Sequence, residues 1–302
     1  MDSGISGIIS CYNSEAFIAN TLDSIFNQTT ALSSLIIVDD CSSDATIDAV
    51  HRYVTARGLD AGAVSVLPNR INLGISMSYN LGIMACRTRY AMLFSHDDIS
   101  HPDRVKSTLN AFAEGAAIVC SYMDVPASGQ KITLPEMPSL VALGLALGNV
   151  VPAPTVSLDV DIARQNKLYF NPQNDYAEDY DLWCQYILRG YSFHVVPEFL
   201  VAYTLHDQQA SVTRQAHQKL VAERVRLQYL RSLFPFLQPE QSEVLVRILL
   251  YEKHMLGHIS QSFNEAILNG MEKQSVAPGV QSVYGYVRQM LTSPVSAPVT
   301  VQ

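Results

Sequence analysis

The 302-residue chain contains few charged residues and no excess of positive ones. Charged side chains make up 16% of the sequence, and 28 Asp and Glu outnumber 20 Lys and Arg, which gives a net charge of -8 at pH 7. A chain of this sign is not attracted as a whole to the phosphates of nucleic acid. The composition therefore argues against a nucleic-acid-binding protein.

Cysteine is scarce, and long hydrophobic runs are missing. The five cysteines form no CxxC pair, so neither a zinc site nor a dithiol redox centre is predicted, and free thiols in a reducing compartment are expected. The most apolar stretch, Leu140–Val151, contains glycines and is too short to span a bilayer. No signal peptide is predicted at the N-terminus. These absences together predict a soluble, cytoplasmic protein.

The chain is nevertheless rich in apolar residues, at 48%, which indicates a sizeable core. The apolar run Tyr90–Phe94 has the length of a buried strand, and the polar segment Ser95–Asp98 follows it at once. Two carboxylates, Asp97 and Asp98, then lie at the strand end where open α/β sheets bind ligands, and they suit Mg²⁺ or Mn²⁺ carrying a diphosphate. Capping of the next helix explains these acids equally well when they are taken alone.

Apolar runs and amphipathic stretches alternate along the first 123 residues. Buried strands are predicted at Ile5–Ser10, Leu35–Val38, Val64–Leu67, Tyr90–Phe94 and Ala117–Ser121. Helical periodicity between them predicts an α/β fold with a doubly wound, mostly parallel sheet. Farther on, Phe193–Val196 and Phe199–Tyr203 are typical of edge strands. From about Gln215 the sequence is helical, and residues 291–302 are predicted to form a disordered tail.

The first two strands are also followed by groups that suit a nucleotide. Tyr12 follows the first strand, and Asp39 and Asp40 end the second. Parallel neighbours end at the same edge of a sheet, so these groups are expected side by side. An aromatic ring can stack on a nucleobase while a carboxylate accepts its imino N–H. Each residue taken singly is explained better as an interfacial tyrosine or a helix-capping acid.

A set of motifs makes the interpretation specific. The segments are Ser10-Cys-Tyr-Asn13, Asn27-Gln28, Ile36-Ile-Val-Asp-Asp-Cys-Ser-Ser-Asp44, Asn72-Leu-Gly74, Asn80, Phe94-Ser-His-Asp-Asp-Ile-Ser-His-Pro-Asp-Arg104 and Glu178-Asp-Tyr-Asp-Leu-Trp183. Their order resembles family-two inverting glycosyltransferases, which have the GT-A fold. The resemblance implies a glycosyltransferase domain over residues 1–212, with a nucleotide-sugar-binding half (1–123) and an acceptor and catalytic half (124–212). A helical C-terminal extension over 213–290 would follow.

In such enzymes the first half binds a nucleoside diphosphate sugar. The resemblance implies that Tyr12 lies along the base and that Asp40 accepts a hydrogen bond from it, with Asp39 on the base or ribose side. Arg70 is a further candidate contact to the nucleotide, and a solvated surface arginine is an equal alternative. A UDP-sugar is the expected donor, because stacking plus one carboxylate suits uracil, while GDP and dTDP stay open.

The family's DxD motif falls on Ser95-His96-Asp97, so serine replaces the first acid. Asp97 resembles the direct ligand of the divalent metal, Mn²⁺ or Mg²⁺, and the missing charge weakens the expected affinity. Ser95 and His96 are candidates for hydrogen bonds to the ribose. His206 ends a segment similar to the family's YRxH and is implied to approach the metal or the diphosphate, although Thr204 replaces the arginine.

The pair Glu178 and Asp179 resembles the family's catalytic acids, with Asp179 aligned on the general base. A carboxylate in this role takes the proton of the acceptor hydroxyl as the new bond forms. Attack from the face opposite the leaving nucleotide inverts the configuration in one displacement. Without the other motifs, these acids would be explained as first-turn residues at a helix N-terminus.

A local excess of positive charge stands out near the C-terminus. The segment Arg214–Lys253 carries seven Lys or Arg against four Glu. Contact with the inner membrane surface, where a lipid-linked acceptor would lie, is one hypothesis. A solvated face of a packed helical subdomain, or a homodimer contact through these helices, explains the excess better.

The resemblance thus implies an inverting glycosyltransferase that moves a sugar from a nucleoside diphosphate donor to a hydroxyl of a glycan or lipid-linked acceptor, in bacterial surface polysaccharide synthesis. A sugar-phosphate nucleotidyltransferase would need a glycine-rich basic loop after the first strand, and Ser10–Ser14 has neither feature. A non-catalytic nucleotide-sugar-binding module with a degenerate DxD motif is the other alternative, suggested by Ser95 and Thr204.

Overall fold

The computed structural model describes residues 3–60, 62–207, 209, 213–276 and 278–292. The strands are β1 (Ile5–Cys11), β2 (Ser34–Asp39), β3 (Val64–Pro68), β4 (Tyr90–Phe94), β5 (Ile99–Ser100), β6 (Ile118–Val125), β7 (Gln130–Ile132), β8 (Ser157–Asp159) and β9 (Phe193–Ala202). The helices are α1 (Ile18–Phe26), α2 (Thr46–Ala56), α3 (Ile75–Ala85), α4 (Arg104–Ala113), α5 (Pro138–Leu145), α6 (Val160–Gln165), α7 (Glu178–Leu188), α8 (Gln215–Leu233), α9 (Pro239–Leu250), α10 (Gln261–Lys273) and α11 (Pro278–Thr292). Most of the predicted tail, from residue 293 on, lies outside the described residues.

All these strands belong to one sheet with the order β3-β2-β1-β4-β8-β6-β9-β5, and β7 pairs with β6. The long ladders β3-β2-β1-β4 and β6-β9 are parallel, whereas the ladders of β5, β7 and β8 are short and antiparallel. In the first half each crossover helix returns the chain, so that the next strand runs in the same direction. The predicted α/β fold with a mostly parallel sheet and C-terminal helices is confirmed.

The central strands are apolar on both faces, and a core therefore forms on each side of the sheet. In β1, Ile5 and Ile9 face a layer with α1, α2 and α4, while Ile8 faces a layer with α3 and α7. All three isoleucines are 0% exposed, and burial of each such side chain contributes about 1.5–3 kcal/mol. Continuous apolar runs therefore identified these strands correctly, because neither face meets water.

The two segments predicted as edge strands, Phe193–Val196 and Phe199–Tyr203, are a single strand, β9. The prediction of two separate strands is therefore wrong. Because β5 pairs only with Val201 and Ala202, the first segment pairs with β6 alone, as an edge strand does. Pro197 suggested an interruption, since proline cannot donate a ladder hydrogen bond. The register between β6 and β9 shifts at this point, which leaves Pro197 outside the ladder, and pairing resumes beyond it.

Helices α8 to α11 share the core of the α/β unit. Val225, Leu245 and Val283 are at most 1% exposed and belong to the apolar cluster that also contains residues of α5 and α7. The hydroxyl of Tyr229 donates to the carbonyl of Ala142 at 3.2 Å, which joins α8 to α5. Across the described part of the chain, no helix is long and apolar enough to cross a membrane.

Candidate active site

Three adjacent parallel strands bring the predicted nucleotide-binding residues to one edge of the sheet. β2, β1 and β4 are neighbours and end at this edge. Tyr12 directly follows β1 and is 48% exposed, so its ring is open to a ligand. The loop Ser95–Asp98 follows β4 at the same edge, and Arg70 is exposed in the loop after β3. The structure therefore places these groups together as the sequence predicted.

Asp39 is buried and holds the turn after β2. Its Oδ2 accepts the backbone N–H of Ser42 at 3.0 Å, and its Oδ1 accepts the Ser42 hydroxyl at 2.5 Å. The thiol of Cys11 also donates to Oδ1, at 3.7 Å. Burial raises the pKa of Cys11 and the charge of Asp39 raises it further, so the thiol stays protonated and able to donate. Asp39 thus fixes the backbone that carries Asp40.

Asp40 is 3% exposed and binds the loop after β3. Its Oδ1 accepts from Asn69 Nδ2 at 2.8 Å and from the backbone N–H of Leu73 at 2.7 Å, and its Oδ2 accepts from the backbone N–H of Gly74 at 2.9 Å. A carboxylate has about four acceptor positions. One position is therefore left for a base, and the rest of the carboxylate is committed to the loop.

Gly74 is required by this arrangement for two reasons. Its φ is +86°, in the left-handed region that side chains disfavour, and a Cβ would overlap the carboxylate of Asp175. The hydroxyl of Ser76 donates to that same carboxylate. Asp40 and Asp175 thus hold the 69–76 segment from two sides.

The Asp40→Asn variant is expected to destabilise the nucleotide-free protein by about 1–3 kcal/mol, since an amide nitrogen cannot accept the N–H of Leu73 or Gly74 and a buried donor loses its partner. Tyr12→Ala is the contrasting variant. Because the ring of Tyr12 is half exposed, its removal is expected to lower nucleotide affinity without changing the stability of the protein. Urea unfolding of both variants without nucleotide measures the difference. Wild-type stability for Asp40→Asn would contradict its structural role.

The loop after β4 is held by Asp98, which is 5% exposed. Its Oδ1 accepts the backbone N–H of Thr204 at 3.0 Å. Burial raises the pKa of Asp98 to about 7, and the charge of Asp97 acts in the same direction. His96 belongs to the same loop, and its Nε2 lies 3.8 Å from Asp97 Oδ2. Asp98 thus ties this loop to the segment that follows β9.

Asp97 and His206, the predicted metal pair, are in direct contact, with 2.8 Å between Oδ2 and Nε2. Both side chains are nearly buried, at 10% and 14% exposure. The ring of Phe17 stacks on the imidazole with 4.2 Å between centroids, and the side chain of Gln209 accepts the His206 backbone N–H at 3.3 Å. The orientation of the imidazole is thus fixed from two sides.

Helix α7 begins with Glu178 and Asp179. Asn149 Nδ2 donates to Asp179 Oδ2 at 2.7 Å, and the backbone N–H of Tyr180 donates to Oδ1 at 2.7 Å. Burial raises the pKa of Glu178, and the charge of Asp179 raises it further. Burial also raises the pKa of Asp179. A carboxylate with a raised pKa is a better proton acceptor near neutral pH.

Tyr79 lies near acidic groups of both the loop after β4 and helix α7. Its hydroxyl donates to the carbonyl of Phe94, the last residue of β4, at 3.1 Å. Burial raises the pKa of Tyr79, and the charges of four nearby carboxylates raise it further. These carboxylates belong to Glu178, Asp97, Asp98 and Asp179. The DxD-like loop and the start of α7 therefore lie on the same side of the sheet.

Helix α7 is also tied to the segment where an acceptor site was expected, Asn149–Thr155. Trp183 Nε1 donates to the carbonyl of Val151 at 3.0 Å, and the hydroxyl of Tyr180 donates to the carbonyl of Leu145. Both rings are at most 1% exposed. These anchors fix the segment against the helix that carries Asp179.

Arg104 is a structural member of the site that sequence reasoning missed. It is 2% exposed and donates to the carbonyls of Leu93 at 2.8 Å and Pro154 at 2.5 Å, and to the Ser100 hydroxyl at 3.0 Å. Burial lowers the pKa of Arg104 to about 9. The sequence shows Arg104 at the end of the His-Pro-Asp-Arg segment, but it does not show that the side chain is buried.

The fold and the site together define the class of protein. The structure of S. aureus TarS 1-349 in complex with UDP-GlcNAc matches with a TM-score of 0.63 at 17% identity, over 96% of this chain and 88% of that one. The mannosyltransferase PcManGT from Pyrobaculum calidifontis, in complex with GDP-Man and Mn²⁺, matches with a TM-score of 0.60 at 12% identity, over 96% and 87%. At these identities the likeness concerns the fold, and that fold is the GT-A fold of glycosyltransferases.

The sequence comparisons agree with the fold. Residues 6–155 match the family described as Glycosyl transferase family 2, the family that the motifs resemble. An uncharacterized glycosyltransferase of Haemophilus influenzae is 25% identical over 281 residues, 83% of this chain and 85% of that protein. A Bacillus subtilis protein provisionally named teichuronic acid biosynthesis glycosyltransferase TuaG is 23% identical over 252 residues, 81% and 97%.

Proposed function

We propose that this protein is an inverting glycosyltransferase that moves one sugar from a nucleoside diphosphate donor to a hydroxyl of a glycan or lipid-linked acceptor. The observation that carries the proposal is the arrangement around Tyr79. Asp97 with its partner His206 and the pair Glu178–Asp179 come from distant parts of the chain to the surroundings of Tyr79. In this proposal, one bound sugar nucleotide has its diphosphate near Asp97 and His206 and its sugar near the candidate general base on α7.

Asp179 is the proposed general base. An acceptor hydroxyl would donate its proton to the Asp179 carboxylate while its oxygen attacks the anomeric carbon of the donor sugar. The bond from that carbon to the diphosphate oxygen breaks on the opposite face, the electron pair leaves with the diphosphate, and the configuration is inverted. The hydrogen bond from Asn149 supports this role, because it restricts the rotation of the carboxylate.

The nucleotide would lie along the edge formed by β2, β1 and β4. Tyr12 offers an exposed ring for stacking, Asp40 has one acceptor position left, and Arg70 is exposed nearby. A UDP-sugar is the preferred donor, and the complex of TarS with UDP-GlcNAc supports this choice. Ser95 and His96 are proposed to contact the ribose from the loop after β4.

A divalent cation fits the proposed diphosphate position. Asp97 and His206 offer one carboxylate and one imidazole side by side, and Mn²⁺ and Mg²⁺ accept such groups together with substrate phosphates. The described residues contain no group of three or more His, Cys, Asp or Glu that could hold a metal without a substrate. The residues therefore suit an ion that arrives with the nucleotide, as in PcManGT with GDP-Man and Mn²⁺. When bound, the ion would neutralise charge on the leaving diphosphate.

The surface polysaccharide assignment and the C-terminal contacts are further parts of the proposal. The name of the Bacillus subtilis relative supports a role in polysaccharide synthesis. In the basic segment, Arg226 and Arg247 bind Glu243, and Arg224 binds the 173–174 loop. These internal partners favour the packed helical face over the membrane contact. The membrane contact and the homodimer stay hypotheses.

Donor binding and turnover can be tested together. UDP with MnCl₂ is expected to stabilise the protein by about 2.7 kcal/mol at one hundred times its Kd, seen as a raised melting temperature, and GDP and dTDP serve as comparison nucleotides. Release of nucleotide from UDP-GlcNAc, UDP-glucose, UDP-galactose and GDP-mannose is then measured with Mn²⁺ and with EDTA. Stabilisation without release from any donor would favour the non-catalytic module. No stabilisation by any nucleotide would contradict the proposed function.

A further inference from the structure

The residue that precedes the catalytic pair by two positions has an unusual backbone. Tyr176 has φ +75°, and it is the one aromatic residue among the described non-glycine residues with positive φ. The others are Asn13, Cys41 and Lys167. Aromatic residues rarely adopt the left-handed region, because the Cβ approaches its own backbone, so surrounding contacts must hold the conformation.

Such contacts are present on two sides of Tyr176. Its carbonyl accepts from Gln218 Nε2 at 3.0 Å. Its ring meets the imidazole of His217 edge to face, with 5.5 Å between centroids. Gln218 and His217 both belong to α8, so the C-terminal extension supplies both contacts.

The residues before Tyr176 are held in the same way. Arg224 of α8 donates to the carbonyl of Gln173 at 2.7 Å and to the buried side chain of Asn174 at 2.5 Å. From the other direction, Ser76 of α3 donates to Asp175. The 173–176 segment is thus bound between α8 and α3, directly ahead of Glu178 and Asp179.

We propose that α8 is part of the framework of the active site, and that Gln218 and Arg224 are positioning residues that hold the 173–176 segment so that Asp179 points at the acceptor hydroxyl. This inference rests on the proposed role of Asp179 as the general base. The family match ends at residue 155, so it assigns no role to this helix.

The backbone conformation of Tyr176 affects Asp179 because only two residues separate them. If Tyr176 relaxed to negative φ, the first turn of α7 would rotate, and Asp179 would leave the hydrogen bond from Asn149 Nδ2. A displacement of about 1 Å at a reacting group can lower a rate by about 10²-fold. The nucleotide-binding groups are on β1, β2 and β4 and would not move. Loss of the contacts from Gln218 and Arg224 to the 173–176 segment is therefore expected to lower turnover and to leave donor affinity unchanged.

The test uses the full chain. The donor is the one of the four sugar nucleotides (UDP-GlcNAc, UDP-glucose, UDP-galactose or GDP-mannose) from which the wild type releases nucleotide fastest. Gln218→Glu keeps the size of the side chain and removes the Nε2 donor, and kcat is expected to fall about tenfold or more while KM for the donor and the Kd of UDP with Mn²⁺ change less than twofold. Arg224→Met is the second variant, with the same expectation. Gln228→Glu, on an exposed position of α8, makes the same chemical change without touching the segment and is expected to match the wild type.

A rescue separates positioning from general damage. Asparagine tolerates positive φ better than tyrosine, so in a Tyr176→Asn background Gln218→Glu is expected to lower kcat less than threefold. The inference is overturned if Gln218→Glu and Arg224→Met keep wild-type kcat, or if they weaken UDP binding as much as they lower kcat. If those variants are active while Asp179→Asn is inactive, only the role of α8 fails. If Asp179→Asn is itself fully active, the proposed function fails.

Discussion

Asp179→Asn is expected to lower nucleotide release from the donor by about 10²–10⁴-fold, the usual contribution of a general base, while UDP binds with nearly unchanged affinity. The amide keeps the shape of the side chain, and its single oxygen can still accept from Asn149 Nδ2, which donates to Oδ2 at 2.7 Å in the wild type. The Tyr180 backbone N–H, which donates to Oδ1 at 2.7 Å, then loses its acceptor. The variant therefore removes proton acceptance and keeps the hydrogen bond that orients the side chain. Steady-state release and calorimetric titration with UDP and Mn²⁺ measure the two quantities separately.

Asp181→Asn is the matched control for this experiment. Asp181 belongs to the same first turn of α7 and is 9% exposed, but it lines a separate cavity with Lys167 and Arg189. Its change is expected to leave turnover within about fivefold, because helix-dipole effects of one acid amount to about 0.3–1 kcal/mol. Equal losses for both variants would mean that Asp179 acts only through the charge of the helix terminus.

The pH dependence of kcat/KM tests the same assignment of Asp179 as the general base. Only the deprotonated base can accept the proton, so kcat/KM is expected to fall as pH decreases through the pKa of Asp179. Burial raises that pKa, so the acid limb should lie above the ordinary aspartate value of about 3.9. The limb should disappear from the residual activity of Asp179→Asn. A profile that is flat down to the ordinary value would contradict the base assignment.

The half of the fold that depends on local pattern was predictable. The run Tyr90–Phe94 forms β4 with the predicted bounds, because a strand covered on both faces must be apolar at every position. The strand ends then fix where the polar residues go, since parallel neighbours share one edge. This is why Tyr12, Asp39 and Ser95 could be placed together without coordinates.

Other features depended on distant partners and could not be predicted. Pro197 indicated an interruption, yet the shift in register between β6 and β9 keeps the strand continuous. Asn80 belongs to the family motifs, and its side chain pairs with the backbone N–H and carbonyl of Phe170 at 2.9 and 2.8 Å, a structural role that a motif does not reveal. Tyr176 likewise has no local signal for positive φ, because its contacts with His217 and Gln218 come from a distant part of the chain.

Asp97→Asn is expected to lower turnover by about 100-fold or more and to abolish the difference between Mn²⁺ and EDTA. Removal of a group that merely orients a metal ligand usually costs about 10–100-fold, so the loss of a direct ligand should be at least as large. The asparagine oxygen can still accept a hydrogen bond from His206 Nε2, which lies 2.8 Å from Asp97 Oδ2. The fold should therefore survive the change.

The decisive comparison is the melting temperature with UDP, with and without MnCl₂. For the wild type, Mn²⁺ should add to the stabilisation by UDP, because the ion would bridge the diphosphate and the Asp97–His206 pair. For Asp97→Asn this increment should vanish while UDP alone still stabilises through the edge near Tyr12. Asp103→Asn, which makes the same change just before α4, should keep the full increment. If Mn²⁺ stabilised Asp97→Asn as much as the wild type, the ion would bind elsewhere in the protein. The serine at position 95 would then indicate an active site that does not need a metal ion at this position.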